Sequence, residues 1–340
     1  MSADLEARIA TLLTQAGAQG APRLTALAGG ANNQVFRVDV DDLTVAVKAY
    51  FQHPDDPRDR LGTEFAFAEF AWNQGIKAVP QPLAYDGEAG LGVYEFIEGR
   101  RLEPTEVTPR RVAELLALFA QLNHSRHTPQ ARALTLASEA CFSVAEHLRC
   151  VQRRIDRLES VIDPEATEFV RSELAETWSL VRGGVEAAWG DEAKRAITGT
   201  DRRLSPSDFG FHNALLTVED RLRFLDFEYA GWDDPAKTVC DLFCQPAVPV
   251  PLDHYDFVVD SMTRELSNPE WHRRRIASLL PVYQVKWGCI LLNEFLPLEG
   301  HRRRFARPEA DLDAFKRAQL DKARAAVKAL EVASAPVERA

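Results

Sequence analysis

The chain has 340 residues, and chains beyond roughly 250–300 residues tend to divide into more than one compact unit. Hydrophobic residues make up 46% and charged residues 27%, ordinary globular values that exclude a disordered or fibrous chain. With 41 Lys and Arg against 51 Asp and Glu the net charge is −10, which argues against a binder of nucleic-acid backbones. An acidic surface is compatible with a cationic small substrate and equally with plain solubility.

In chain order, residues 5–16 place Leu5, Ile9, Leu12 and Leu13 at helical spacing. The opening stretch carries acids early and lacks a basic run, so it does not read as a secretory leader. Two strand-like runs follow, 34–40 and 43–50, joined through Asp41-Asp42 as a tight hairpin, with Gly29-Gly30-Ala31-Asn32-Asn33 ahead of the first. Residues 53–60 read as a polar loop and 63–74 as a helix stopped by Gly75. Val79-Pro80-Gln81-Pro82 is extended, because proline restricts the residue before it. Residues 91–97 form another strand. From Pro109 the pattern is helical over 109–126, 138–158 and 164–188. It returns to loop and short strands over 204–218 and 221–229, and is mostly helical from Leu252. Residues 333–340 read as a frayed tail. The plan is α+β and bilobal: a β-rich N-terminal lobe, 1–98, and a larger, mostly helical C-terminal lobe, 99–340. A ligand site is expected in a cleft between unequal lobes.

Five widely spaced cysteines (141, 150, 240, 244 and 289) do not make a disulfide framework. Cys240 and Cys244 stand one helical turn apart, but no second Cys or His pair accompanies them, so buried free thiols are expected rather than a zinc site. The apolar runs fall short of a membrane span, and a reducing cytoplasm is the default expectation.

The chemistry-bearing stretch is Ser205-Pro206-Ser207-Asp208-Phe209-Gly210-Phe211-His212-Asn213, followed by Phe224-Leu225-Asp226-Phe227-Glu228. A carboxylate on a tight loop, a carboxamide five residues on and a second carboxylate at a strand end are the parts phosphoryl transfer needs. One carboxylate orients the attacking hydroxyl and takes its proton; the carboxamide oxygen and the other carboxylate hold Mg²⁺ on nucleotide phosphates. Taken singly, Asp208 could equally make an Asx turn and Asn213 a cap. The ordered set is the stronger signal.

These segments resemble the catalytic and metal-binding segments of the aminoglycoside phosphotransferase and choline kinase family, within the protein-kinase-like fold, and the likeness runs from about Leu27 to Leu242. The resemblance implies Asp208 as catalytic base, Asn213 and Asp226 as Mg²⁺ ligands, ATP as phosphoryl donor and a small molecule as acceptor, with no nucleic acid and no membrane partner. It also implies that Asp234-Pro235 and Asp241 support the segment. Where the family has His-Gly before the catalytic Asp, this chain has Pro206-Ser207, and Pro206 offers no side-chain hydrogen bond. His212 could serve in the site or be structural.

Lys48 ends the apolar strand Val45-Ala46-Val47-Lys48, and a lysine there needs an acidic or phosphate partner. Glu64 at the start of the next helix is the expected partner; Glu69 is the rival, near the other side of that helix. Gly29 and Gly30 resemble the family's nucleotide-covering loop, since glycine lets backbone approach phosphate. Tyr94-Glu95-Phe96-Ile97 looks like the hinge, where backbone groups of Glu95 and Ile97 would meet adenine. For the acceptor, Asp233, Trp287 and Glu294 are the candidate contacts. Trp287 equally fits a core position. The expected activity is an ATP-dependent small-molecule kinase acting on a hydroxyl of an amino sugar, sugar, amino alcohol or aminoglycoside. The alternative is a kinase-like protein that binds nucleotide or metabolite without transfer.

Overall fold

The structure, a computed structural model, describes residues 3–18, 20–27, 32–307, 309 and 311–334. The chain forms two compact units. One takes residues 1–138, 204–232 and 302–309; the other takes 139–203, 233–301 and 310–340. This partition differs from the expected break at 98/99. Residues 99–138 and 204–232 join the unit that holds the N-terminal sheet, because backbone pairing draws them there. Arg100–Arg101 pairs with Leu215 and Leu216, and the Phe224 N–H donates to Ala78 O at 2.7 Å.

In the first unit five antiparallel strands run in the order β1-β2-β3-β5-β4: β1 (Arg23–Ala26), β2 (Gln34–Val40), β3 (Leu43–Ala49), β4 (Pro82–Asp86) and β5 (Leu91–Glu95). Strand side chains alternate between faces. Phe36, Val38, Val40, Val45, Val47 and Ala49 accordingly share one buried face, where Ile9, Leu12 and Leu13 of α1 (Ala3–Gln15) complete a core. The same alternation sends Lys48 to the opposite face. Asp41 turns the β2–β3 hairpin with a left-handed φ of 50°, which Asp tolerates better than most residues. The edge strand β1 escaped the sequence reading because it is only four residues long and largely exposed, too short a run to establish a period.

Helix α2 (Arg60–Asn73) starts three residues before the expected position, inside the expected loop, because the Asp59 carboxylate accepts the Gly62 N–H and caps it there. Gly75 ends it at φ 78°, with the Ile76 N–H closing back on Ala71 O at 3.0 Å. Helix Pro109–His124 buries Val112, Leu115, Phe119 and Leu122. At its end the Asn123 side chain brackets Leu204, accepting its N–H and donating to its carbonyl, both at 2.9 Å. That clamp fixes the entry to the Ser205–Asn213 stretch.

The second unit is helical, built around the long helix Pro269–Leu292, against which Val144–Leu158, Ala175–Trp189, Pro235–Cys244 and Leu312–Ser334 pack. Ser143 caps the first of these, so it begins later than the expected 138. A π-helical turn, Val170–Leu174, interrupts the helical run expected over 164–188. Residues 333 and 334 are helical, and the rest of the expected tail lies outside the described residues. Among the described residues no helix is long and apolar enough to cross a membrane. The cysteines are free; the Cys240 and Cys244 thiols donate to the carbonyls of Ile276 and Leu280.

Candidate active site

The centre of the site is Lys48, on the face of β3 turned away from the core. Its Nζ lies 2.6 Å from Glu64 Oε2 and 2.5 Å from Asp226 Oδ1. Burial alone would push Lys48 towards neutrality. The facing charges of Asp226, Glu64 and Glu228 outweigh it and hold the ammonium well above its ordinary pKa. Glu64 is buried on α2, whereas Glu69 points to solvent. Two buried phenols lie behind Glu64: Tyr50 donates to Glu64 Oε2 at 2.7 Å and meets the Tyr94 hydroxyl at 2.9 Å. Burial, chiefly, keeps both tyrosines protonated.

Asp226 occupies a left-handed backbone position with φ 68°, uncommon for a non-glycine residue. Its carboxyl is pushed up, first by burial and then by Glu228 and Glu64, against the pull of Lys48. Glu228 is buried and held low by Lys48, Arg60 and two amide donors. Those donors are Asn33 Nδ2 at 2.6 Å and Asn32 Nδ2 at 2.8 Å. Oxygens of Glu64, Asp226 and Glu228 all lie within 4.8 Å of one another. Three carboxylates around a single lysine leave excess negative charge, and hard oxygen donors at this spacing suit a divalent cation such as Mg²⁺. Glu228 was given no role by the sequence reading. The available signal was its place two residues after Asp226, a second acid close by in the same segment.

The loop carrying Asp208 is tied at each step. Ser207 sits at φ 66°, its N–H donating to Ser205 Oγ at 3.0 Å, and the Asp208 N–H donates to Pro206 O at 2.9 Å. Asn213 Nδ2 donates to the Asp208 carbonyl at 3.0 Å and to Asp208 Oδ2 at 3.2 Å. These bonds commit the amide nitrogen of Asn213 to Asp208. The Leu225 N–H, just before Asp226, donates to Asn213 O at 2.8 Å and ties the two acidic segments together. The other Asp208 oxygen, Oδ1, lies 3.0 Å from His212 Nε2. Burial would lower the His212 pKa, but the charge and hydrogen bond of Asp208 raise it above its ordinary value.

The remaining expected residues fall as follows. Gly29 and Gly30 lie outside the described residues. The Glu95 N–H is taken by Gln81 O at 2.8 Å, and its carboxylate by Arg223 Nη2 at 2.8 Å; Ile97 is buried by its side chain. Asp233 requires a correction. It is fully buried and bound to Lys237 Nζ at 2.6 Å and the Asp234 N–H at 2.9 Å, so its oxygens are spent internally and no face is open to a substrate. Trp287 donates its Nε1–H to Asp241 Oδ1 at 2.8 Å, beside Lys286, which bonds both Asp241 oxygens. Glu294 is half-buried in the turn Asn293–Phe295.

Solved structures with the same fold include a choline/ethanolamine kinase family protein, a choline kinase and an aminoglycoside phosphotransferase. A choline/ethanolamine kinase family protein from Mesorhizobium loti superposes with TM-score 0.61 at 18% identity over 97% of this chain and 98% of its own. The choline kinase LicA from Streptococcus pneumoniae gives TM-score 0.59 at 16% identity over 96% and 98%. An ADP-bound aminoglycoside phosphotransferase gives 0.55 at 15% over 94% and 97%. At these identities the likeness establishes the fold, which is protein-kinase-like. No curated protein matches the chain. The model of the phosphotransferase enzyme family (APH) matches residues 23–255, more than half the chain, and the chain belongs to that family.

Proposed function

We propose that the chain transfers the γ-phosphoryl group of ATP, with Mg²⁺, to a hydroxyl of a small molecule. The observation that carries this is the grip of Lys48 on both Glu64 and Asp226, 178 residues away from it in sequence, beside an Asp208 held by Asn213. Asp208 orients the acceptor hydroxyl and takes its proton as the new O–P bond forms and the bond to the β-phosphate oxygen breaks, releasing ADP. Lys48, kept cationic by Glu64, pairs with nucleotide phosphate. Asn213, Asp226 and Glu228 are the residues that would hold Mg²⁺; when bound it neutralises phosphate charge. Gly29 and Gly30 would cover the phosphates. The Glu95 carbonyl and the Ile97 N–H would meet adenine, the Glu95 N–H being already engaged.

Amino alcohols, amino sugars, sugars and aminoglycosides are the acceptor classes to try, in keeping with the names of the structural relatives. A cytoplasmic location, where ATP is abundant, goes with this reading. The altered Pro206-Ser207 favours one other reading, nucleotide binding without transfer. The test is ADP release with MgATP across those acceptor classes. Release that depends on one class and falls about 10²–10⁴-fold in Asp208→Asn, with nucleotide still bound, supports transfer. Nucleotide binding with no phosphorylated product from any class supports the other reading.

A further inference from the structure

We infer that His212 is the positioning residue for Asp208, supplying from four residues downstream a side-chain donor that Pro206 cannot offer. This rests on the reading of Asp208 as the proton acceptor. Three observations carry it. First, the Asp208 carboxylate is held at both ends, by Asn213 Nδ2 on Oδ2 at 3.2 Å and by His212 Nε2 on Oδ1 at 3.0 Å. With one end released the carboxylate can rotate about its Cβ–Cγ bond, a broad torsion with little intrinsic preference.

Second, the imidazole bonds on one side only. Its Nδ1 is buried and has no hydrogen-bond partner among the described residues. A ring placed merely to fill space gains nothing from a buried nitrogen without a partner, and an apolar side chain would fill the same volume at lower cost. The polar purpose that the geometry gives this ring is therefore the Asp208 contact.

Third, the backbone around His212 is itself fixed. The short turn Phe211–Asn213 carries it, the Asn213 N–H closes on Gly210 O at 3.1 Å, and Arg101 Nη1 donates to the His212 carbonyl at 3.2 Å. A donor on a rigid turn, four residues from its acceptor, holds the carboxylate in one rotamer before any substrate arrives. In this chain the orienting group thus sits on the C-terminal side of the loop, next to Asn213, so one turn presents both grips on Asp208.

The test uses the full-length protein and three variants. His212→Gln keeps an N–H donor near the Nε2 position, His212→Leu keeps volume without a donor, and Asp208→Asn removes the acceptor charge. Positioning predicts that His212→Leu lowers kcat about 10–100-fold while KM for MgATP and Tm stay near wild type. His212→Gln should recover most of that loss, and His212→Leu should add little in the Asp208→Asn background. Equal kcat in wild type and His212→Leu overturns the inference, as does a parallel fall in kcat and Tm in both His212 variants. A second readout needs no turnover. In imidazole-¹⁵N-labelled protein the His212 Nε2–H proton should be protected from exchange and should shift in Asp208→Asn; a freely exchanging proton unmoved by that change overturns the inference. If the wild type transfers no phosphate to any acceptor, the proposed function fails, and the imidazole signal alone still decides whether His212 holds Asp208.

Discussion

Lys48 and Glu64 were readable from the sequence because each carries a local signal. One is a cation on an apolar strand, the other an acid on the buried stripe of the next helix. What steadies Glu64 was not readable, since Tyr50 and Tyr94 reach it only once β3, β5 and α2 are packed. Removing the Tyr50 hydroxyl leaves a buried carboxylate short of a donor. Tyr50→Phe is expected to lower stability by about 1.5–3 kcal/mol, the range for hydrogen bonds to charged groups, measured by urea denaturation. Unchanged stability would mean that Glu64 is held by Lys48 alone. His212 and Glu228 show the same limit. Both lie inside the quoted motif, yet only the turn that folds His212 back on Asp208 and the approach of Asn32 and Asn33 to Glu228 reveal what they touch.

At the level of elements, starts and stops followed local chemistry where a cap was present. Asp59 moved the start of α2 and Gly75 ended it. Strand β1 had no such signal, being too short and exposed to show a period, whereas the short strands expected within 204–218 and 221–229 are present as Arg203–Ser205, Ala214–Leu216 and Leu222–Phe224. Gly231 shows a constraint set by packing. Its φ is 157°, and a Cβ there would stand 2.4 Å from Thr135 O and 2.6 Å from Ala137 N. Gly231→Ala is expected to destabilise by more than about 1 kcal/mol. Gly183 and Gly184, inside the helix Ala175–Trp189, have open space at the Cβ position. Replacing either by Ala is expected to stabilise by roughly 0.5–1 kcal/mol, because helical glycine costs backbone entropy. Thermal melts of the three variants should therefore move in opposite directions; a common direction would contradict this assignment of backbone constraint.

For the whole molecule, the order and type of segments were legible, but the composition of each compact unit rests on more than segment order. It depends on pairings between distant segments, such as Arg100–Arg101 with Leu215–Leu216. Three groups of the helical unit withdraw stability as the pH falls. Asp234 is fully buried; burial opposes its charge, but the Arg275 guanidinium and His147 hold it well below its ordinary 3.8. Glu139 is pulled from 4.5 to about 2, burial being outweighed by Arg154 and Lys286. His147 is lowered from 6.5, mainly by burial. In each case the folded state binds protons less readily than the unfolded chain, so stability rises with pH. The contribution is complete above pH 6.5, begins to fall as His147 must charge, and falls further below 4.5 as the two carboxylates protonate. Asp234→Asn should be markedly less stable at neutral pH, by about 3–5 kcal/mol, because it strands Arg275, and its deficit in urea midpoint against wild type should shrink as pH falls below 3.8. A deficit unchanged from neutral pH down to pH 3 would contradict the buried ion pair.

The most direct test of the central claim follows the γ-phosphoryl group itself. Protein is incubated with γ-¹⁸O-labelled MgATP and each acceptor class, and products are read by mass spectrometry in wild type and Asp208→Asn. The account predicts a labelled phosphomonoester of one acceptor class, formed by the wild type and lost in the variant while nucleotide binding persists. Labelled phosphomonoester formed equally by both proteins would contradict the role of Asp208. Bound nucleotide with no labelled ester from any acceptor would contradict phosphoryl transfer.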